Sequence, residues 1–251
     1  MVSAIAINKL VKEYPNTKAV QGISLNIAKG EFFGLLGRNG AGKTTTINIL
    51  TGLCNKTSGE VKLFGKDVVK EYREARSLIG LVPQEFNFDI FEKVYNIIYY
   101  NAGYFGIPAK ERKQRIEKVL KELDLWEKRN APARSLSGGM KRKLMIARAL
   151  IHEPKILILD EPTAGVDVET RKVIWKYIKK LNENGTTILL TTHYIEEAEA
   201  LCNRIAIINK GEIIKLDETK NLLKILEGNV KLEDVFLHLT NNNDLTNDDE
   251  N

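Results

Sequence analysis

An α/β domain built on a largely parallel sheet is what this sequence predicts, and three observations predict it. Short aliphatic or β-branched runs recur along the chain: AIAI, EFFGLL, IGLVP, ILILD, TTILLTT and IAIIN. Several are apolar throughout, as in strands buried on both faces, and most are bounded by Gly, Pro, Asp or Asn. Helical patterns alternate with them, which favours parallel pairing through crossovers. A hydrophobic fraction of 43% and a charged fraction of 28% over 251 residues fit a globular protein of one domain, or of one domain with a smaller insert.

Composition also narrows the function classes. No apolar run approaches the roughly 20 residues that cross a bilayer, and MVSAIAINKL lacks the charged start and long apolar core of a secretory signal. Cys54 and Cys202 make no disulfide framework and have no neighbour at metal-ligand spacing. The net charge, 38 − 33 = +5, permits nucleic acid or an anionic membrane surface but demands neither.

Taken in order, the strand-like EFFGLL runs into GRNGAGKT, residues 37–44, and then into the helical TTTINILTGL. This is the G-x-x-x-x-G-K-[ST] pattern between a strand and a helix, the context it requires. Gly40 and Gly42 let the backbone curl so that successive N–H groups face inward as an anion nest. The nest opens on a helix N-terminus, where orphan N–H groups and the dipole favour phosphate. Lys43 is placed to bridge β- and γ-phosphates, the Thr44 hydroxyl to ligate Mg²⁺, and Thr45 to add a phosphate hydrogen bond. The loop Gly37, Arg38, Asn39, Gly40, Ala41, Gly42, Lys43, Thr44 and Thr45 therefore predicts nucleotide binding.

From about Phe86 to Ser135 the strands stop and two helical patterns follow each other, divided by the turn Gly106–Pro108. Ile116, Val119, Leu120 and Leu123 form one stripe of the second. This reads as a helical insert in the α/β core. Next comes LSGGMKRKL, residues 136–144, two glycines before a basic helix. A nucleic-acid contact, a membrane-surface patch and an ordinary helix start all fit it. Ser137 is a good N-cap. Met140, Leu144, Ala147 and Ile151 share helical spacing, and Lys141, Arg142 and Lys143 read as a solvated flank.

The run ILILDEP supplies a buried strand with Asp160 at its C-terminal end, where α/β folds bind ligands. Asp160 is expected to hold Mg²⁺ through water, and Glu161 to orient and deprotonate an attacking water. The strand TTILLTTHY ends in His193, which the same logic places at the γ-phosphate. KLEDVFLHL reads as a last helix before an Asn/Asp-rich tail of disordered composition.

Together these motifs resemble the ATP-binding cassette (ABC) ATPases, in order from about Ala4 to Gly211. LSGGM matches the family's signature loop, AGVD its D-loop with Asp167, and TTH its H-loop with His193. LVPQE matches the Q-loop with Gln84, and Tyr14 in KEYPNTKAV matches the aromatic residue that stacks on adenine. LSGGMKRKLMIARALIHEPKILILDEPTAGVD and QEFNFDIFEKV are similar to the ATPase subunits of ABC-2-type exporters, the YadG-like group in particular.

The resemblance implies a phosphate-loop NTPase core with an inserted helical subdomain and a small antiparallel β part at the N-terminus. It implies a core of residues 1–84 and 155–216, the insert at 85–154, C-terminal helices at 217–240 and a disordered tail at 241–251. It implies ATP and Mg²⁺, with Gln84 beside Thr44 and Asp160 at the metal, and Ser137, Gly138, Gly139 and Asp167 at the nucleotide. A second copy of the chain would supply its signature loop to the first copy's ATP, and a separate permease of about six spans would carry the solute. That places the chain on the cytoplasmic face of the plasma membrane, with no nucleic-acid partner. A cassette of the iron–sulfur assembly type, which moves no solute, is the alternative. Met140 stands where most signature loops have glutamine, and Arg38 where many phosphate loops have proline.

Overall fold

The computed structural model describes residues 3–226 and 231–248, which fall into two compact units. One comprises the chain up to Arg76 and again from Thr187; the other is Ser77–Thr186. Each has its own core.

The first unit opens with a long hairpin, β1 (Ser3–Tyr14) and β2 (Thr17–Ala28), closing at the pair Tyr14–Thr17. Next come β3 (Phe32–Leu36), α1 (Lys43–Leu50), β4 (Ser58–Leu63), β5 (Lys66–Asp67) and α2 (Tyr72–Ser77). The antiparallel sheet runs β2-β1-β4-β5, with Ile5 facing Leu63 and Ile7 facing Val61 in register. Ile5, Ile7, Val61 and Leu63 are buried, and the residues between them are more exposed, the period-2 pattern of a sheet covered on one face. This is the small antiparallel β part expected at the N-terminus.

The second unit begins with β6 (Ile79–Val82), followed by α3 (Val94–Tyr104), α4 (Ala109–Glu122), α5 (Gly138–Leu150), β7 (Ile156–Asp160) and α6 (Val168–Glu183). β6 and β7 pair in parallel. Ile116, Val119, Leu120 and Leu123 are all buried, as their stripe predicts. The GIP turn does separate α3 from α4, with Gly106 at φ 73°, a left-handed turn that suits glycine.

Back in the first unit, the chain adds β8 (Thr187–Thr192), α7 (Ile195–Leu201), β9 (Arg204–Asn209), β10 (Glu212–Glu218), α8 (Thr219–Leu222) and α9 (Leu232–Asp248). β3 lies between β9 and β8, parallel to both, and β10 pairs antiparallel with β9. Every residue of β3 and β8 is buried, which is why neither sequence alternates with charged residues; β3 is apolar throughout, and β8 joins three aliphatics to three buried threonines.

Two expectations change. The tail expected to be disordered from residue 241 is helical through Asp248, and its last residues, 249–251, lie outside the described residues. Extending an existing helix fixes one residue per hydrogen bond and needs no new nucleus, so a polar segment can follow an apolar one into helix. The basic flank of α5 is also not uniformly solvated, because Arg142 is buried at 3% exposure.

Candidate functional site

The phosphate loop leaves β3 at Gly37, where a Cβ would stand 2.5 Å from the Ile208 carbonyl oxygen. Only a hydrogen fits there. Gly40 and Gly42 have φ of 81° and 106°, the curl that the sequence requires of them. Gly42 is also the N-cap of α1, with no side chain capping the helix, so the first-turn N–H groups are left to the loop. Lys43 folds back along the loop, its Nζ donating to the carbonyl oxygens of Gly37 at 2.7 Å and Arg38 at 3.1 Å. Ala41 is buried, Arg38, Asn39, Gly40 and Thr44 are exposed, and Thr45 is half-buried. The result is a cationic nest whose rim faces solvent, suited to a polyphosphate.

The same unit holds Tyr14 and His193. Tyr14 ends β1 at 44% exposure, with Lys12 Nζ 4.6 Å from the ring centroid and its Oη 3.5 Å from Cys54 Sγ. The bond to Cys54, and then burial, raise its pKa, while the Thr45 hydroxyl pulls the other way. An exposed ring beside the start of α1 suits base stacking. His193 follows directly on β8, half-buried, its ring 4.1 Å from that of Tyr194.

In the second unit, Asp160 ends β7 and Glu161 follows it, each 4% exposed. Glu161 sits at φ 48°, a left-handed conformation that a residue with a side chain adopts only where its surroundings impose it. Gln84 Nε2 donates to Glu161 Oε2 at 3.1 Å, so the structure joins two predicted residues that stand far apart in sequence.

Ser137 caps α5, its Oγ accepting from Met140 N at 3.3 Å, as its N-cap character predicts. Ser137 and Gly138 are exposed, and a Cβ on Gly138 would meet nothing within 4 Å. Gly139 is different: a Cβ there would stand 2.6 Å from Thr170 Cγ2. Thr170 N in turn donates to Asp167 Oδ1 at 2.8 Å, which caps α6. That bond, with the Thr170 side chain, holds the Asp167 carboxyl below the usual carboxylate range. The predicted signature and D-loop residues thus meet through Thr170. Among the described residues no group of three or more His, Cys, Asp or Glu could hold a metal by itself. Hydroxyl, carboxylate and amide oxygens are hard donors of the kind a magnesium ion takes alongside phosphate oxygens; the first unit offers one such donor in Thr44, and the second offers Asp160 and Gln84.

Reading the sequence missed Arg142. Its Nη1 and Nη2 donate to the Pro83 and Gln84 carbonyl oxygens at 2.9 and 3.0 Å. The available signal was its spacing, three residues after Gly139 and three before Met145, both buried on α5.

A family model for the ABC transporter matches residues 20–164. Over 212 residues the chain is 42% identical to Nod factor export ATP-binding protein I of Paraburkholderia xenovorans, covering 84% of this chain and 70% of that one. Over 223 residues it is 41% identical to the linearmycin resistance ATP-binding protein LnrL of Bacillus subtilis, covering 88% and 71%. A solved dimeric ATP-binding cassette in a post-hydrolysis state, bound to ADP and phosphate, matches with a TM-score of 0.79 at 30% identity, over 86% of this chain and 98% of that one. The chain belongs to the ABC transporter family as one of its ATP-binding cassettes, an ATPase.

Proposed function

We propose that this chain is the ATPase subunit of an ABC-2-type membrane exporter, working as a head-to-tail dimer with two ATP molecules held between the chains. Its likeness to an export and a resistance ATP-binding protein over 84% and 88% of its length carries the exporter reading. The dimeric neighbour supports the pairing. Among the described residues no helix is long and apolar enough to cross a membrane. In this reading a separate permease spans it, and the chain works at the membrane's cytoplasmic face. Exposed Phe86, Ile90 and Phe91, just after Gln84, give the second unit apolar surface suited to a protein partner.

In this reading Tyr14 stacks on adenine and the loop from Gly37 to Thr45 holds the phosphates. Glu161 accepts a proton from the water that attacks the γ-phosphorus, and ADP leaves with the bridging oxygen. Gln84 orients Glu161, and His193 contacts the γ-phosphate. Ser137, Gly138 and Gly139 of one chain close over the ATP of the other, with Asp167 beside them. Thr44, Asp160 and Gln84 would hold Mg²⁺, which offsets phosphate charge when bound. ATP favours the closed dimer because it binds that state better, and loss of the γ-phosphate reopens it. The catalytic core is 1–84 with 155–216, and 85–154 is its helical insert.

Glu161→Gln tests the chemistry. It is expected to keep ATP affinity, lose about 100-fold or more in turnover and run as a dimer with ATP in light scattering. Wild-type turnover would remove Glu161 from the base role, and a monomer at saturating ATP would count against the sandwich. For the exporter reading, the chain should fractionate with membranes and co-purify with a permease. An ATPase found wholly in the soluble fraction, with no membrane partner, would point to a cassette that moves no solute.

A further inference from the structure

Helix α5 begins at the signature glycines, and two of its arginines grip one stretch of chain. Arg142 holds adjacent carbonyl oxygens, of Pro83 and Gln84, and its Cζ lies 5.2 Å from the centroid of the Phe86 ring. Arg148, farther along the helix, donates to the Asn87 carbonyl oxygen at 3.0 Å and to the Asn87 side-chain oxygen. Segment 83–87 is therefore tied to α5 at both ends. Gln84 lies inside it, and the Gln84 side chain reaches Glu161.

The chemistry of the grip is specific. A guanidinium is a planar fork whose two terminal nitrogens can meet two acceptors at once, which a lysine ammonium on a flexible stem cannot reproduce. A buried cation is costly unless its donors are satisfied, so Arg142 at 3% exposure holds these carbonyls against a penalty for letting go. Its grip on the Gln84 backbone limits the positions from which the Gln84 amide can reach Glu161. The Glu161 backbone is itself constrained in a left-handed conformation, so the remaining freedom of its carboxylate lies in the side-chain torsions that Gln84 restrains.

We propose that Arg142 is a positioning residue for ATP hydrolysis. By fixing Pro83 and Gln84 it sets the Gln84 amide against Glu161, so the placement of the signature helix governs where the Glu161 carboxylate points. The proposal rests on the reading of Glu161 as the base.

The test is a double-mutant cycle on the full chain with Mg-ATP as substrate. Arg142→Ala is expected to lower kcat roughly 10- to 100-fold while the KM for ATP stays within about twofold, because the phosphate loop is untouched. Gln84→Ala should lower kcat comparably, and the double variant should lose no more than the worse single variant. Arg142→Lys, which keeps the charge and lacks the fork, should fall between wild type and Arg142→Ala in kcat with a smaller loss of Tm than the alanine variant, and it serves where the alanine variant does not fold. Losses in kcat that multiply, a KM that rises at constant kcat, or full kcat in Arg142→Lys would each overturn the proposal. Glu161→Gln separates the two failures. If it turns over at the wild-type rate, the base reading falls. If it is dead and the cycle is multiplicative, only the role of Arg142 falls.

Discussion

Two glycine-rich loops each deliver the chain into a helix, and they are built on opposite plans. The phosphate loop caps α1 with Gly42 at φ 106°, uses no side-chain cap, and packs Gly37 and Gly42 against backbone carbonyls. The signature loop caps α5 with Ser137 in extended conformation and a hydroxyl bond, and leaves Gly138 open to solvent. The first is walled in by its own unit and shapes an anion nest from within it. The second is a finished helix start with Ser137 and Gly138 exposed, which suits the proposed contact with nucleotide on another chain. In the phosphate loop glycine answers to a left-handed backbone and to walls of backbone carbonyls, and in the signature loop Gly139 answers to a single side-chain methyl.

Substitutions can break that contrast, beginning with the largest effect. Gly42→Ala puts a Cβ 2.6 Å from the Ala19 carbonyl oxygen at a φ that disfavours side chains. The strain alone costs about 3 kcal/mol, or a fall in Tm of about 6–12 °C, and nucleotide binding should weaken with it. No neighbouring side-chain substitution should restore it, because the wall is backbone. Restoration by a side-chain change would show that the loop relaxes more freely than its geometry implies.

Gly139→Ala should cost less and be rescuable. Its obstacle is the Thr170 Cγ2 methyl, at 2.6 Å, so overpacking of about 1–3 kcal/mol is expected. Thr170→Ser removes that methyl, and the double variant should recover most of the lost Tm. Gly138→Ala, with open space around it, is the control that should leave Tm nearly unchanged.

The two caps sharpen the contrast further. Ser137→Ala should lose about 1 kcal/mol of stability, at any pH, because a hydroxyl does not titrate in the working range. The Asp167 cap should depend on pH. Its carboxyl is held below its usual range by Thr170, so its stabilisation is complete above the ordinary carboxylate pKa and is lost as pH falls through the depressed value. Thermal unfolding of wild type and Asp167→Asn, followed from neutral pH into acid, should therefore converge at the acid end. A constant difference between them would detach the Asp167 charge from the cap.

Much of this was legible in the residues. The aliphatic and β-branched runs of β3, β7 and β8 announced strands covered on both faces, and G-x-x-x-x-G-K-T announced the nest after β3. Ser137 announced its cap because capping is a matter of three residues. Arg142 was misread because its acceptors lie 58 and 59 positions away, outside any helical period. The link between Gln84 and Glu161 spans 77 positions and leaves no trace in local spacing.

The sequence by itself determined the α/β class, the phosphate loop, the acidic end of β7 and the resemblance to ABC ATPases. These follow from periodicity and from short patterns whose chemistry is local. Tertiary structure alone decided that Gly37 has room only for a hydrogen, that Glu161 is held left-handed, and that Arg142 is buried on the carbonyls before and at Gln84. Each of these depends on which distant backbone is brought alongside, and a burial or a clash exists only once two remote segments share the same space.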